Sequence, residues 1–271
     1  MDRQAIRTEL PSIVAAHVPK NQRKFTFRFY DGTPAQNAFG MNVDLKPFEG
    51  KVIAVTEVAI VVKSGRAEFA VIDLALASLR PEIGVNVLVT PYFRRDFQGE
   101  RLDKPQRREE EPVDGEPRLT EVVIVIGGQK LVLPLPQIQC QFVTDMKGQL
   151  ETLLAPDGFR TLASLLADAK ASDFEIIDPD DENLIATPPE ISCAVQTEKF
   201  VGRVALVYEA AADLYRIELR EGSNVLFSVG DVDFTSVGAT LERHLDDGKW
   251  RQIQIQTLTR PKAARQSGAR S

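Results

Sequence analysis

Between Gly50 and Phe93 the chain alternates short apolar runs with turn residues: KVIAV, AIVVK, the turn Ser64-Gly65-Arg66, EFAVID and, after Gly84, NVLVTPYF. Short runs rich in Val and Ile, bounded by Gly, Ser and Asp, predict strands. Strands this short cannot bury their faces in an open sheet of four, so the expected solution is a small SH3-like or OB-like barrel. Upstream, RKFTFRFY sets Phe25, Phe27 and Phe29 against Lys24, Thr26 and Arg28, the period-2 pattern of a half-buried strand. Asp31-Gly32 then turns the chain toward a second strand over residues 38–45. Ile6, Leu10, Ile13, Val14 and His17 recur at helical spacing, but Pro11 interrupts them, which predicts a short helix starting at Pro11.

The pattern changes at residues 98–118, QGERLDKPQRREEEPVDGEPR, where only Leu102 and Val113 are aliphatic; this is linker composition. The expected division is an N-terminal region 1–97 with the barrel, the linker, a domain over 119–259 and a basic, disordered tail over 260–271. TEVVIVIGGQKLVLPLP reads as two strands around a Gly127-Gly128 hairpin turn, ended by Pro134 and Pro136. DGFRTLASLLADAK places Phe159, Leu162, Ala163, Leu166 and Ala169 on one helical face, with Asp157 as N-cap. SCAVQT, GRVALVY, LYRIELR and NVLFSV read as an antiparallel meander, with Tyr215, Ile217 and Leu219 inward and Arg216, Glu218 and Arg220 in water. A second helix is expected from Ser236 to Asp246, stopped at Gly248, and WRQIQIQTL closes this domain as a strand. The fold class is therefore α+β: a small SH3/OB-like barrel followed by an antiparallel-sheet domain with two helices.

Charge sharpens this division. The four segments carry +3, −2, −11 and +4 in chain order, within a net charge of −6 over 271 residues. A strongly acidic C-terminal half repels phosphate backbones, so nucleic-acid contact is expected from the N-terminal half or the tail. Cys140 and Cys193 each lie in apolar surroundings, as reduced core thiols do. The charged opening MDRQAIRTEL and the absence of a long apolar run predict a cytoplasmic protein with no membrane partner.

Candidate chemistry is sparse. Neither His17 nor His244 stands near a nucleophile pattern, and the two cysteines and two histidines lack the short-spaced pairs of a zinc site. No catalytic residue, metal site or cofactor is assigned. Asp178, Asp180, Asp181 and Glu182 suit a hard cation, but an EF-hand starting at Asp178 would need Gly and Glu where Asn183 and Pro189 stand. They read as a solvated acidic loop; a metal-dependent hydrolase built on them is the alternative from a different class. In the barrel region Lys51, Lys63, Arg66, Arg94 and Arg95 accompany Tyr92 and Phe93. Cations that neutralise phosphate beside rings that stack on bases are how OB-like modules hold single strands, so these seven form the candidate nucleic-acid surface.

Gly50-Lys51-Val52-Ile53, Val55-Thr56, the Gly65-Arg66 turn, Leu79 and Pro81-Glu82-Ile83-Gly84 together resemble the small barrel domain of KfrB-type proteins from bacterial plasmids and integrative elements. The resemblance covers residues 50–92 and departs at Asp73-Leu74. It implies an accessory protein of a mobile element and supplies no enzymatic activity. The resulting expectation is a non-enzymatic protein that engages nucleic acid or a nucleoprotein through the barrel, while its acidic domain engages a protein. A purely protein-binding adaptor that interferes with host machinery is the other alternative.

Overall fold

The computed structural model describes residues 1–104, 106–109, 119–122 and 129–258. In chain order it forms helix α1 (Arg3–Val14), strand β1 (Thr26–Tyr30), the short strands β2 (Ala35–Gln36) and β3 (Asn42–Val43), then β4 (Phe48–Val55), β5 (Ala59–Lys63), β6 (Glu68–Asp73) and β7 (Asn86–Thr90). Next come β8 (Gln106–Glu109), β9 (Leu119–Val122), α2 (Gln141–Thr152), α3 (Leu162–Asp168) and β10 (Ser172–Ile177). The chain ends with β11 (Glu190–Gln196), β12 (Val201–Glu209), β13 (Leu214–Glu221), β14 (Asn224–Val232), α4 (Val237–Leu245) and β15 (Gln254–Leu258). This is a mixed α+β fold in two units that interleave along the chain. Unit 1 takes Met1–Thr33, Leu45–Tyr92 and the stretch from Arg251; unit 2 takes Pro34–Asp44 and Phe93–Trp250.

Unit 1 holds one sheet in the order β1-β6-β5-β4-β7-β15. All its pairs are antiparallel except β1 with β6. The four strands expected between Gly50 and Tyr92 are all present, but the expected closed barrel is not, because β1 and β15 stand at opposite ends of the order and the sheet is open. Two further strands, outside the four of the expected barrel, make an open sheet viable. One is β1. The other is β15, which the sequence pattern assigns to the C-terminal domain; its Ile255 and the preceding Ile253 instead sit buried in one cluster with Val87 and Val89.

The sheet is nevertheless curled. β4 pairs with β7 through Phe48–Lys51 and with β5 through Lys51–Val55, with a register shift between Val52 and Ala54, and bulges of this kind bend a strand. Tyr30 of β1 thereby meets Phe48 of β4, ring centroids 5.1 Å apart, across a seam that no backbone pairing closes. Gly50 sits at the change of partner, where an added Cβ would come within 2.6 Å of the Lys63 carbonyl oxygen. Gly50→Ala is therefore expected to lower stability by about 1–3 kcal/mol. The urea midpoint reads this, and an unchanged midpoint would mean that β4 and β5 separate freely there.

One face of the sheet is covered by α1, whose Ile6, Leu10 and Val14 pack on Ile53, Val61, Phe69 and Val71. This helix starts at Arg3, not Pro11, because Asp2 caps it by accepting from the Gln4 and Ala5 backbone N–H groups. Pro11 is tolerated inside because it lies on the exposed face, where water can reach the backbone it leaves unpaired.

Unit 2 centres on an antiparallel sheet, β10-β11-β12-β13-β14, as the meander predicts. One face packs against α2, α3 and α4 around Val143, Leu150, Leu162, Leu165, Leu241 and Leu245. Both cysteines lie in this core, and burial pushes the Cys193 thiol up to about 12, so it stays protonated at neutral pH. On the opposite face Arg216, Glu218 and Arg220 do not simply face water: Glu218 is buried between the two arginines, and Arg220 also binds Glu190 at 2.7 Å. Neither α2 nor β10 is anticipated from the sequence. The helix expected from Asp157 begins instead after Thr161, whose hydroxyl accepts from Ser164 N.

The region expected to be a linker is partly structured. Asp96 closes a turn by accepting from Gln98 and Glu100 N–H groups, Leu102 is buried, and β8 pairs with β9. β9 therefore does not pair with the stretch after Gly128, and residues 129–140 form no strand although Leu131 and Leu133 are buried. The Gly127-Gly128 turn, residues 110–118 and the tail lie outside the described residues.

Recounted over the observed units, the charge split widens. Residues 1–33, 45–92 and 251–258 hold 12 basic and 8 acidic groups, +4, and residues 259–271 add a further +4. Residues 34–44 with 93–250 hold 17 basic and 31 acidic groups, −14. Among the described residues no helix is long and apolar enough to cross a membrane.

Candidate nucleic-acid interface

The candidate residues of unit 1 lie at one end of its sheet. Lys51 of β4 and Lys63 of β5 are register partners, two like charges directly opposite one another, an arrangement that destabilises a sheet unless something neutralises it. The Lys63 ammonium donates to the His17 carbonyl at 2.7 Å, a neutral acceptor in the turn that follows α1. The same cross-strand row continues through Asn86 of β7 to Leu258 of β15. These four residues, with Glu49, Gly50, Ser64 and Gly65, line a shallow hollow.

Further cations come from the approach to β1. Thr26 N donates to the Ala67 carbonyl at 3.0 Å, which brings Lys20, Arg23 and Lys24 toward the β5–β6 turn, and Arg66 of that turn donates to the Asn21 side chain at 3.1 Å. Among the described residues none of Lys20, Arg23, Lys24, Lys51, Lys63 and Arg66 forms an ion pair. Their acidic neighbours are Glu49 and Glu68.

A second hollow adjoins the first at Ser64 and occupies the open seam, lined by Thr26, Phe27, Arg28, Tyr30, Phe48 and Glu68 among others. Its aromatic residues come from both faces of β1: Phe27 shares a face with Phe25 and Phe29, and Tyr30 packs with Phe48 on the other. Phe27 is 38% exposed and packs edge-on against Phe29 at 5.4 Å, while Tyr30 stacks obliquely on Phe48. Burial raises the Tyr30 phenol, and the nearby Arg28 works against that shift. Phosphate-neutralising cations beside partly exposed rings are the elements from which single-strand binding surfaces are made.

The seven residues expected from the sequence do not stay together. Lys51, Lys63 and Arg66 belong to this end of unit 1, and Tyr92 is the last unit 1 residue before Phe93 opens unit 2. Arg94 is held by Asp44, which accepts from its backbone N–H at 2.8 Å and from its guanidinium at 3.0 Å, and it lies over the Phe159 ring. Phe93 lies under both Arg95 and Arg101, and Arg95 also approaches Asp168 at 3.8 Å. Phe93, Arg94 and Arg95 are thus engaged inside unit 2 and add no uncompensated cation. Lys20, Arg23, Lys24 and Arg28 replace them, and the chain carries a signal for them: four cations between His17 and Tyr30 with no acid, running into an aromatic strand.

The remaining candidates show no converging chemistry. Asp178 accepts from the Gln139 and Cys140 N–H groups, and among the described residues no three His, Cys, Asp or Glu side chains are arranged to hold a metal ion. His244 packs against Phe227 at 4.3 Å, its pKa lowered by burial and by Arg243 and Lys199. Set against protein-family models, curated proteins and solved structures, the chain matches none.

Proposed function

We propose that unit 1 is a nucleic-acid-binding module, and that the protein is a non-enzymatic accessory factor of a bacterial mobile element whose acidic unit 2 engages a protein partner. The observation that carries this reading is the uncompensated cation cluster around the Lys51–Lys63 pair. Elsewhere the arginines of unit 2, at positions 94, 160, 203, 216 and 220, are tied to carboxylates; here, among the described residues, six cations from the β4–β5 pair, the β5–β6 turn and the approach to β1 form no ion pair. A phosphodiester backbone supplies the missing charge, and the partly exposed ring of Phe27 offers a face for an unstacked base. The charge of unit 2 repels the same ligand, which confines contact to unit 1.

The test is a binding titration against single-stranded DNA, duplex DNA and RNA over a salt series. Binding is expected to weaken steeply with salt. The triple variant Lys24→Glu, Lys51→Glu, Arg66→Glu should lower the slope of log K against log salt by roughly 2, at about 0.7–0.9 for each phosphate that is no longer neutralised. No binding of any nucleic acid at low salt would end the proposal, and an unchanged slope in the variant would move the interface elsewhere. A pull-down with and without nuclease separates the adaptor alternative, which predicts partners that survive digestion.

A further inference from the structure

We infer that β14 is the edge on which unit 2 receives its protein partner, and that the partner adds an extended strand with a cation at each end. The inference rests on the proposed engagement of a protein by unit 2 and adds to it the docking edge and the chemistry of the occupant. β14 ends the sheet order and, among the described residues, pairs with β13 alone. Every residue from Glu221 to Ser228 is exposed, Val225 at 51% and Leu226 at 59%, and Phe234 just beyond the strand is exposed as well. Register shifts bend β14 near both ends, but Phe227, Ser228 and Val229 pair in unbroken order with Leu219, Glu218 and Ile217, which keeps the centre regular. A bare edge is ordinarily guarded by charge or proline along its length. β10, at the opposite edge, carries Asp173 and Glu175 within its strand, whereas Val225 to Gly230 hold neither charge nor proline. Main-chain bonding to an added strand satisfies such an edge, and the flanking apolar side chains set which strand fits.

Charge selects the occupant. Residues 221–241 hold Glu221, Asp231 and Asp233 and no cation. Glu221 pairs with Asn224 at one end of the strand, and Asp231 follows at the other, about 23 Å further along extended backbone. Arg220, the register partner of Val225, is tied to Glu190 and Glu218, and Arg243 stands on α4 next to His244, whose ring meets Phe227. Acids thus mark both ends of β14. A second copy laid antiparallel about a two-fold axis would set the Glu221 end of one chain against the Asp231 and Asp233 end of the other, and like charges facing across a strand pair destabilise it. A strand with Lys or Arg at each end meets opposite charge at both. Nucleic acid would add negative charge to a unit already at −14.

The experiment titrates the full-length protein with three synthetic peptides: KVTVTVK, the acid-ended EVTVTVE, and KVTPPVK, whose adjacent prolines remove donors from both of its edges. KVTVTVK is expected to bind about tenfold more tightly than EVTVTVE at low salt, and KVTPPVK not to bind. Bound KVTVTVK should slow hydrogen exchange at those β14 amides that do not bond β13. The double variant Leu226→Lys, Ser228→Lys, which guards the edge at two exposed positions, should weaken KVTVTVK by about tenfold with an unchanged urea midpoint. The triple variant Glu221→Gln, Asp231→Asn, Asp233→Asn keeps the left-handed backbone at Asp231 and the acceptor for Thr235, and should bind the Lys-ended and Glu-ended peptides equally. No binding of KVTVTVK at about 1 mM, or undiminished binding to the guarded variant, would overturn the edge. Binding of KVTPPVK would refute strand addition, and no preference between the other two peptides would refute the cationic ends. A dimer in sedimentation that the guarded variant loses would give the edge to a second copy. Nuclease-resistant partners that the guarded variant retains would reject β14 while leaving the engagement of a protein by unit 2 standing; their absence from the unaltered chain would remove that reading and this one together.

Discussion

Replacing Arg160 with methionine is expected to destabilise unit 2 by about 3–5 kcal/mol at neutral pH. Arg160 is fully buried, and its guanidinium reaches Asp157 at 2.8 Å, Asp168 at 3.1 Å and Asp246, while lying 3.9 Å from the centre of the Trp250 ring. The Trp250 indole also donates to Asp246 at 3.0 Å. Burial opposes the charge on Arg160, but Asp168, Asp246 and Asp157 outweigh it and raise the pKa. Burial likewise works to raise Asp246, and the hydrogen bonds and charge of Arg160, with the Gly248 and Trp250 N–H groups, hold it below the ordinary carboxylate value of 3.8. Methionine fills the volume but leaves three carboxylates without their cation, and an unpaired buried charge is what makes such a change large.

The pH dependence gives the sign. In the wild type a depressed carboxylate stabilises the fold above its unfolded value near 3.8, and that contribution disappears as pH falls through the folded pKa. In the variant the Gly248 and Trp250 donors stay on Asp246 and Arg95 stays 3.8 Å from Asp168, but the guanidinium that faced all three carboxylates is gone, so burial weighs more heavily toward protonated carboxyls in the folded state and acid relieves part of the defect. The stability difference between the two proteins should therefore shrink from pH 7 to about pH 4. Urea denaturation followed by the fluorescence of Trp250, the one tryptophan in the chain, measures it. A difference below about 1 kcal/mol, or one that does not vary with pH, would show that the cluster is not held by its charges.

Ending the chain at Trp250 is expected to abolish the fold of unit 1. Ile253 and Ile255 are 3% and 5% exposed, and burying such a side chain stabilises by about 1.5–3 kcal/mol. Losing both, together with five ladder pairs to β7 and the clamp on Leu76 and Ser78, removes a contribution comparable to the whole stability of a small domain, about 5–15 kcal/mol. The fragment 1–97 lacks the same strand and should fail in the same way. Hydrogen exchange at Val87 and Val89 reports the outcome, and a peptide covering residues 249–258 should restore protection in trans. Retained protection in the shortened chain would mean that β15 is an accessory to a sheet that stands without it.

Local pattern is a good guide to which segments become strands. The runs from Gly50 to Thr90, the aromatic strand before Tyr30 and the meander from Glu190 to Val232 all lie where alternation and turn residues put them. It fails where tertiary context supplies the missing term. The helix over Gln141–Thr152 has weak local signals and is held by burial of Val143, Met146 and Leu150, and α1 begins at Arg3 because a side chain caps it and water solvates its proline.

By itself, then, the sequence determined the mixed α+β class, the positions of most strands and the separation of basic from acidic segments, since each is a property of neighbours along the chain. Only the tertiary structure decided that QIQTL joins the N-terminal sheet, that the sheet stays open along a seam, and that Arg94 and Arg95 meet carboxylates while, among the described residues, Lys51 and Lys63 form no ion pair. The physical reason is common to all three. An alternating strand advertises a buried face but not the face that will receive it, and a cation advertises charge but not the carboxylate that folding brings to within roughly 3–4 Å of it.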